Sequence, residues 1–283
     1  MQILKTKAAL QALKTTWHGQ STAFVPTMGA LHEGHMALVR LAQERADKVV
    51  VSIFVNPTQF APHEDFDAYP RDYDRDATML EAAGVDALYL PEAAEIYPHG
   101  PVITTRAGQA AKGLESDFRP HFFDGVCTVV RTLFDHVQPD IAIFGEKDYQ
   151  QLMVIREMVE ALSLPIEIIG TPIVRDEHGL ALSSRNAYLS ADELEIARKM
   201  NLILRETASS LRPRPQAGGS NPEPQTGLPP PFKPGAGFLA MTKELSAAGF
   251  NKVDYVEERW GRLLAAAYVG KTRLIDNLPL MSS

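Results

Sequence analysis

Residues 22–35 read TAFVPTMGALHEGH, and the architecture of the chain follows from this segment. Thr22–Val25 is a short extended run, and Pro26–His35 follows it with two glycines and two histidines. From Gly34 to Asp47 the apolar residues then recur with helical spacing. A strand, a glycine-containing turn and a helix in this order predict the first strand–turn–helix unit of a parallel sheet.

The same alternation recurs along the front of the chain. Further strands are predicted at Val49–Val55, Ala87–Leu90, Ile141–Phe144 and Ile166–Ile169. Helices are predicted at Asp72–Ala83, Val126–Val137 and Asp148–Leu162. This order predicts an α/β fold with a Rossmann-like, doubly wound parallel sheet. Ligands bind at the carboxyl ends of such strands, so we expect the functional residues in the loops that follow them.

The rear of the chain has a different composition. A long helix is predicted at Ala191–Leu211, and its acidic start suits the helix dipole. Arg212–Gly237 contains eight of the 20 prolines and cannot bury a core, so we predict a flexible excursion there. A helix at Phe238–Ala248 and a strand at Val253–Val256 follow. The two predicted domains span residues 1–173 and, as a smaller α+β domain, 174–283.

The bulk composition limits the class of protein. The chain has 283 residues, 45% of them hydrophobic, which is enough for a substantial core. A formal net charge of −7 argues against general attraction to nucleic acid or to an anionic membrane. Cys127 is the single cysteine, so no intramolecular disulfide forms and a reducing cytoplasm fits. No apolar run approaches the roughly 20 residues that span a bilayer, and the N-terminus lacks a signal-peptide pattern.

The segment Pro26–His35 has features suited to binding phosphate. Gly29 and Gly34 allow backbone to approach a ligand closely, and the N–H groups at a helix start favour anions. His32 and His35 can donate hydrogen bonds to phosphate oxygens. Two other interpretations stay open: a helix cap with two surface histidines, or a metal site. The metal site is the weaker of these, since zinc-protease helices space their histidines four residues apart.

The segment Phe54–Phe60 ends the most apolar strand. Asn56 precedes a proline and fits a turn residue, which is its simplest interpretation. Gln59 has no such local role, so its amide is a candidate to bind a substrate hydroxyl or carboxylate.

The segment Gly145–Gln151 ends the strand Ile141–Phe144. Lys147 lies at the strand-to-helix junction, where an ammonium can meet phosphate. Asp148 and Gln151 have another interpretation, because their spacing also fits a reciprocal helix cap. A fourth segment, Leu182–Asn186, offers two hydroxyls and a guanidinium as a compact anion binder, although small polar loops of this kind are common.

In this order and spacing, the four segments resemble the signatures of the pantothenate synthetase family, in the nucleotidyltransferase superfamily with a His-x-Gly-His motif. Tyr69-Pro70-Arg71 and Gly270–Asn277 are further similarities. The resemblance covers most of the chain apart from the proline-rich excursion. One departure is that the family's Arg-Pro-Gly-His-Phe reads Arg119-Pro120-His121-Phe122 here, so His121 is left out of the predicted site.

The resemblance implies an AMP-forming ligase that condenses (R)-pantoate with β-alanine through a pantoyl-adenylate, releasing AMP and pyrophosphate. ATP is then a co-substrate, and Mg²⁺ is held through its phosphates rather than by a protein metal site. The front domain is expected to bind ATP and pantoate, and the rear domain to form a lid. A cytoplasmic homodimer with small-molecule substrates, and without nucleic-acid or membrane partners, is also implied.

The resemblance also implies individual roles. His32, His35 and Lys147 are the expected catalytic residues, with His35 as proton donor. Gln59 and Gln151 are expected to bind pantoate, and Gln59 also β-alanine. ATP binding is implied for Met28, Gly29, Ala30, Leu31, His32, Glu33, Gly34, His35, Gly145, Glu146, Lys147, Asp148, Val174, Leu182, Ser183, Ser184 and Arg185.

Two rival functions remain at this point. The first is a related adenylating enzyme, such as an aminoacyl-tRNA synthetase fragment, although the charge of −7 and the lack of a basic extension argue against it. The second is a nucleotide-binding regulatory module without turnover, which gives no reason for the paired glutamines.

Overall fold

The structure of the protein is a computed structural model that describes residues 1–60, 66–210 and 236–280. The chain divides into two compact units. Met1–Arg175 and Leu182–Ser184 form the first, and Asp176–Ala181 and Arg185–Ser283 form the second. The predicted excursion Arg212–Gly237 lies outside the described residues, apart from its last two, which begin a helix.

The first unit is a six-stranded parallel sheet with helices on both faces. Its strands are β1 (Gln2–Leu4), β2 (Thr22–Thr27), β3 (Lys48–Ile53), β4 (Ala87–Tyr89), β5 (Ile141–Gly145) and β6 (Glu167–Thr171). Its helices are α1 (Lys7–Thr15), α2 (Glu33–Arg45), α3 (Tyr73–Ala82), α4 (Ala93–Ile96), α5 (Glu115–Phe118), α6 (Phe122–Val137) and α7 (Tyr149–Ala161). The strand order is β1-β4-β3-β2-β5-β6, which confirms the predicted fold class.

The central strand β2 is apolar from Ala23 to Pro26 because both of its faces are covered. Ala23 and Val25 are fully buried on one face, in a core shared with α2 and α3. Phe24, between them, is buried on the other face, in a core shared with α1, α6 and α7. Successive side chains of a strand point to opposite faces, so a two-sided core requires this continuous apolar run.

The sheet reverses its direction of growth between β2 and β5. From β2 the chain adds β3 and β4 on one side, then returns to add β5 and β6 on the other. The pairs between β2 and β5 stop at Phe24 and Ala142, whereas β2 continues beside β3 to Thr27. Pro26 has no N–H to donate, so the pairing between β2 and β5 does not continue past this point. Ligands of open α/β sheets bind at this kind of switch point.

In its described part, the second unit combines two helices with a small antiparallel sheet. The helices are α8 (Ala191–Ser210) and α9 (Ala236–Ala248), and the strands are β7 (Lys252–Arg259), β8 (Arg262–Val269) and β9 (Thr272–Pro279). Leu204, Met241 and Leu245 from the helices are fully buried in one core with β8. Trp260 and Gly261 join β7 to β8 with φ values of +52° and +67°, as a two-residue hairpin turn requires.

Several predicted boundaries need correction. Helix α6 begins at Phe122 rather than Val126, and the strand predicted to reach Val55 ends at Ile53. Strand β1 and helix α1 were not predicted. The predicted strand Val253–Val256 lies within β7, and β8 and β9 after it were not predicted. Every helix in the described part of the chain is too short or too polar to cross a membrane.

Candidate active site

The two histidines of the first segment cap the start of α2. His32 is the N-cap residue, and its Nδ1 accepts a hydrogen bond from the Gly34 N–H at 3.1 Å. His35 is the third helical residue, and its Nδ1 accepts from the His32 N–H at 3.3 Å. The rings are tilted by 43° with centroids 4.1 Å apart. The cap interpretation is therefore correct, but both side chains are partly buried, and they follow the carboxyl end of β2.

These hydrogen bonds determine the tautomer of both imidazoles. A backbone N–H can only donate, so each Nδ1 must be an unprotonated acceptor. Each neutral ring therefore carries its proton on Nε2. The pair presents two Nε2–H donors, which is the arrangement that an anionic ligand at a helix start can use.

Both imidazoles stay neutral at physiological pH. Burial lowers the pKa of His32 to about 4, and the positive charges of Lys147 and Arg75 contribute in the same direction. Burial also lowers the pKa of His35 to about 3, followed by the effects of His32 and Lys147. Without bound phosphate the pair therefore consists of hydrogen-bond donors rather than cations.

The low pKa of His35 predicts a dependence of stability on pH. An unfolded histidine titrates near 6.5, so between about pH 6.5 and pH 3 the unfolded chain binds a proton that the folded chain rejects. The free energy of unfolding should therefore fall as pH decreases, by about 2 kcal/mol at pH 5 for this group. Urea unfolding of wild type and His35→Gln near neutral pH and near pH 5 measures this, and equal losses in both proteins would contradict it.

Gly34 is required because the His32 ring folds back against it. A Cβ at position 34 would lie 2.8 Å from His32 Cε1 and 2.9 Å from His32 Nδ1. Gly34→Ala should displace the ring and lower the free energy of unfolding by about 1 kcal/mol through loss of the cap. Gly145→Ala is a matched control, since a Cβ there meets nothing within 4 Å. Urea unfolding of both variants tests this, and equal stability of the two would contradict it.

Lys147 follows the carboxyl end of β5, the strand that pairs with β2. Strand β5 ends at Gly145, and a 3₁₀ turn over Glu146–Asp148 leads into α7. The Lys147 ammonium is 3.7 Å from the Asp148 carboxylate and lowers the pKa of both imidazoles. The negative charge of Asp148 has the opposite effect and raises the pKa of His32. The ends of β2 and β5 thus place two imidazoles and an ammonium in one electrostatic environment.

A buried network holds Gln59 in a fixed orientation. Asn56 is 1% exposed, and its Oδ1 accepts from the Tyr97 hydroxyl at 2.6 Å and from the Thr58 N–H at 3.3 Å. Its Nδ2 donates to Gln59 Oε1 at 3.0 Å and to the Gly125 carbonyl at 3.3 Å. The amide nitrogen of Gln59 therefore points away from Asn56 and is left to donate. Asn56 is a turn residue, as predicted, and it also orients Gln59.

The reciprocal cap considered for Asp148 and Gln151 is not formed. Asp148 is the N-cap residue of α7, but its side chain makes no capping hydrogen bond. The neighbouring Gln150 has a structural role instead, and its side chain is 3% exposed. Its Oε1 accepts from the Glu115 N–H at 3.0 Å, and its Nε2 donates to the carbonyls of Ala110 and Gly113. Gln151 is half-buried one residue later, so a ligand-binding role for its side chain stays open.

The fourth segment divides between the two units. Leu182–Ser184 belongs to the first, where the Leu182 N–H donates to the Val174 carbonyl at 2.9 Å. The Leu182 side chain lies beside Gly34, since a Cβ there would be 3.7 Å from Leu182 Cβ. Ser184 Oγ is 3.1 Å from the hydroxyl of the buried Tyr69. Arg185 belongs to the second unit, in the 3₁₀ segment Ser184–Tyr188.

The remaining predicted ATP-binding residues belong to the same two strand ends. Met28 is partly exposed in the turn after β2, and Glu33 is an exposed residue at the start of α2 that pairs with Arg40. The side chain of Glu146 folds over Gly170 of β6. His121, the displaced histidine, is exposed at the start of α6 and makes no capping hydrogen bond. Tyr97, Gln150 and the buried Asp76 of α3 were not predicted from the sequence.

Comparison with known proteins places the whole chain in one family. A family model described as pantoate-beta-alanine ligase matches residues 2–279. The pantothenate synthetase of Mesorhizobium japonicum is 49% identical over 291 residues, covering 98% of this chain and 97% of that protein. The pantothenate synthetase of Caulobacter vibrioides is 45% identical over 294 residues, with coverage of 98% and 97%.

A solved structure gives the same answer. The pantoate-beta-alanine ligase from Francisella tularensis, complexed with beta-gamma ATP and beta-alanine, matches with a TM-score of 0.83 and 35% sequence identity. The match covers 100% of this chain and 99% of that chain. Because sequence and fold agree over nearly the full length of both proteins, this chain belongs to the pantoate–β-alanine ligase family.

Proposed function

We propose that the enzyme joins (R)-pantoate to β-alanine through a pantoyl-adenylate, with ATP as co-substrate. The observation that carries the proposal is the pair of neutral imidazoles at the start of α2, within the electrostatic reach of Lys147 at the end of β5. The relative from Francisella tularensis, complexed with beta-gamma ATP and beta-alanine, supports a nucleotide and an amine as ligands of this fold.

The proposed reaction has two steps. A pantoate carboxylate oxygen attacks the α-phosphorus of ATP, the bond from that phosphorus to the bridging oxygen breaks, and pyrophosphate leaves. The β-alanine amine then attacks the acyl carbon, the bond to the phosphate oxygen breaks, and AMP leaves as the amine loses a proton. A free carboxylate is a poor electrophile because its leaving group would be oxide, which is why ATP is consumed.

The histidines and Lys147 would stabilise the charge that moves in the first step. Both Nε2–H groups can donate to α-phosphate or pyrophosphate oxygens, while Lys147 supplies positive charge from the opposite strand end. At a pKa of about 3, His35 begins as a neutral donor, and a nearby triphosphate would raise that pKa. Its role as proton donor is consistent with this change. Ser183, Ser184 and Arg185 are proposed as further phosphate ligands.

Pantoate would bind through carboxamides. Gln59 is held by Asn56 so that its amide nitrogen is available to a substrate hydroxyl or carboxylate. Gln151 is proposed as the second pantoate ligand, and Gln59 would also contact β-alanine. Neutral amides orient an acid beside a triphosphate without adding charge.

Magnesium is proposed to enter with ATP. Among the described residues, no group of three or more histidine, cysteine, aspartate or glutamate side chains is arranged to hold a metal ion. Oxygen ligands from the phosphates suit Mg²⁺, which often binds through substrate phosphates. The metal would neutralise phosphate charge, while Lys147 and the imidazoles orient the triphosphate.

A cytoplasmic homodimer, with residues 1–173 as the substrate-binding domain and 174–283 as a lid, completes the proposal. Sedimentation equilibrium measures the number of subunits, and a monomer at micromolar concentration would contradict the dimer.

One assay tests the function. AMP formation should require pantoate, β-alanine and Mg-ATP together, whereas pyrophosphate exchange into ATP should require pantoate but not β-alanine. Exchange that depends on an amino acid instead would favour a synthetase-type activity. ATP binding without AMP release would favour a regulatory module.

A further inference from the structure

The turn between β2 and α2 has a backbone conformation that needs support. Gly29 has a φ of +83° and Ala30 a φ of +50°, so two successive residues lie in the left-handed region. This region is unfavourable for a residue with a Cβ, such as Ala30. Leu31 follows with a side chain that is 1% exposed, and its N–H faces the interior. The turn leads directly into the His32 cap.

Asp76 of α3 supplies that support. Its side chain is fully buried, and its Oδ1 accepts a hydrogen bond from the Leu31 N–H at 2.8 Å. Its Oδ2 lies 3.0 Å from the position that a Cβ on Gly29 would occupy. Burial raises the pKa of this carboxyl, and the N–H groups of Leu31 and Ala30 oppose that effect. A buried carboxylate held by the backbone of a single turn constrains that turn in return.

The start of α3 also acts on the histidine pair through charge. Arg75 Nη1 is 4.0 Å from Asp76 Oδ1, and the Arg75 charge lowers the pKa of His32. Arg75, the residue before Asp76 in α3, therefore lies within electrostatic reach of the His32 cap. Asp76 itself makes its described hydrogen bond to the turn, not to either imidazole.

We infer that Asp76 is a positioning residue for ATP: its buried carboxylate holds the Gly29–Leu31 turn in the conformation that places the His32 and His35 donors. The inference rests on the proposed function, because that function assigns the turn to the triphosphate. An alternative is that Asp76 merely stabilises α3 against the sheet. The two roles differ in what happens to the imidazoles of the folded protein.

Asp76→Asn separates the two roles. The amide keeps the size of the side chain, but one oxygen becomes an N–H donor that faces the backbone donors of the turn. We expect kcat/KM for ATP to fall about tenfold, because small misplacements of reacting groups are costly. In the ligand-free protein, the imidazole ¹⁵N signals of His32 and His35 should shift as the cap loosens, while the signals of the buried His136 stay in place.

Asp74→Asn is the matched control. It removes a carboxylate from the same first turn of α3, but from an exposed position, so activity and imidazole signals should stay unchanged. If Asp76→Asn leaves the imidazole signals of His32 and His35 in place, the inference is overturned, whether or not activity falls. The signals are measured without substrate, so this result is independent of whether wild type makes AMP from pantoate.

A second variant covers failure of Asp76→Asn to fold. Gly29→Ala keeps the carboxylate and presses a methyl group against Oδ2 and against Ile53 Cγ2, each 3.0 Å away. At a φ of +83° the alanine also strains the turn itself, so the same shift of the imidazole signals is expected in this variant. Unchanged signals would overturn the inference here as well.

Discussion

Replacing His35 with alanine should lower the rate of pantoate-dependent adenylation by about 10²–10⁴-fold, the range for loss of a positioned acid or donor. The physical reason is that the His35 Nε2–H is one of two neutral donors at the start of α2, and methyl cannot replace it. Pyrophosphate exchange at saturating ATP measures the effect on the first step alone.

His35→Ala removes the helix cap as well as the imidazole, so a second variant, His35→Gln, is needed to separate the two effects. Glutamine at the third helical position can accept from the N-cap N–H, so His35→Gln keeps the cap and loses the imidazole. We expect both variants to lose activity, with His35→Gln the more stable. His18→Ala, at an exposed position of the first unit, is the control for removing a histidine. Wild-type turnover in His35→Gln would show that only the cap matters.

The sequence predicts the centre of the sheet better than its edges. Strands β2, β3 and β5 are buried on both faces, so their residues form continuous apolar or β-branched runs. The edge strand β1 has only three residues, two of them exposed, and gives little pattern. Strand β8 contains Ala265–Ala267, a helix-favouring run, and it is a strand because β7 and β9 pair with both of its edges.

In the candidate site, too, the sequence predicts some residues and misses others. His32, His35 and Lys147 were found because each belongs to a local motif after a strand. Tyr97 and Gln150 act on residues that are 41 and 35 positions away, and no local pattern reports such contacts. Asp76 could have been noticed in the sequence, because it lies four residues before the buried Leu80 and therefore on the inner face of α3. A carboxylate at a core position of a predicted helix needs a partner, and that partner was the turn before His32.

Replacing Lys147 with alanine should lower adenylation by about 10²–10³-fold, as expected when one preorganised charge-stabilising group is removed. Its ammonium acts on both imidazoles from the end of β5, so under the proposed function all three groups would act on the same phosphates. The loss should be largest in pyrophosphate exchange, which reports the step with the greatest change in phosphate charge.

A second measurement connects this variant to the geometry without any substrate. Lys147 lowers the pKa of His32 and His35, so its removal should raise both values, while burial keeps them below the ordinary histidine value. Titration of the imidazole ¹⁵N signals measures the shift, and Lys5→Ala, at an exposed position in the same unit, is the control. If Lys147→Ala left both pKa values and the rate unchanged, the ammonium would belong to the surface rather than to the site. A raised pKa with a lost rate would support the proposal that the two strand ends act together on one ligand.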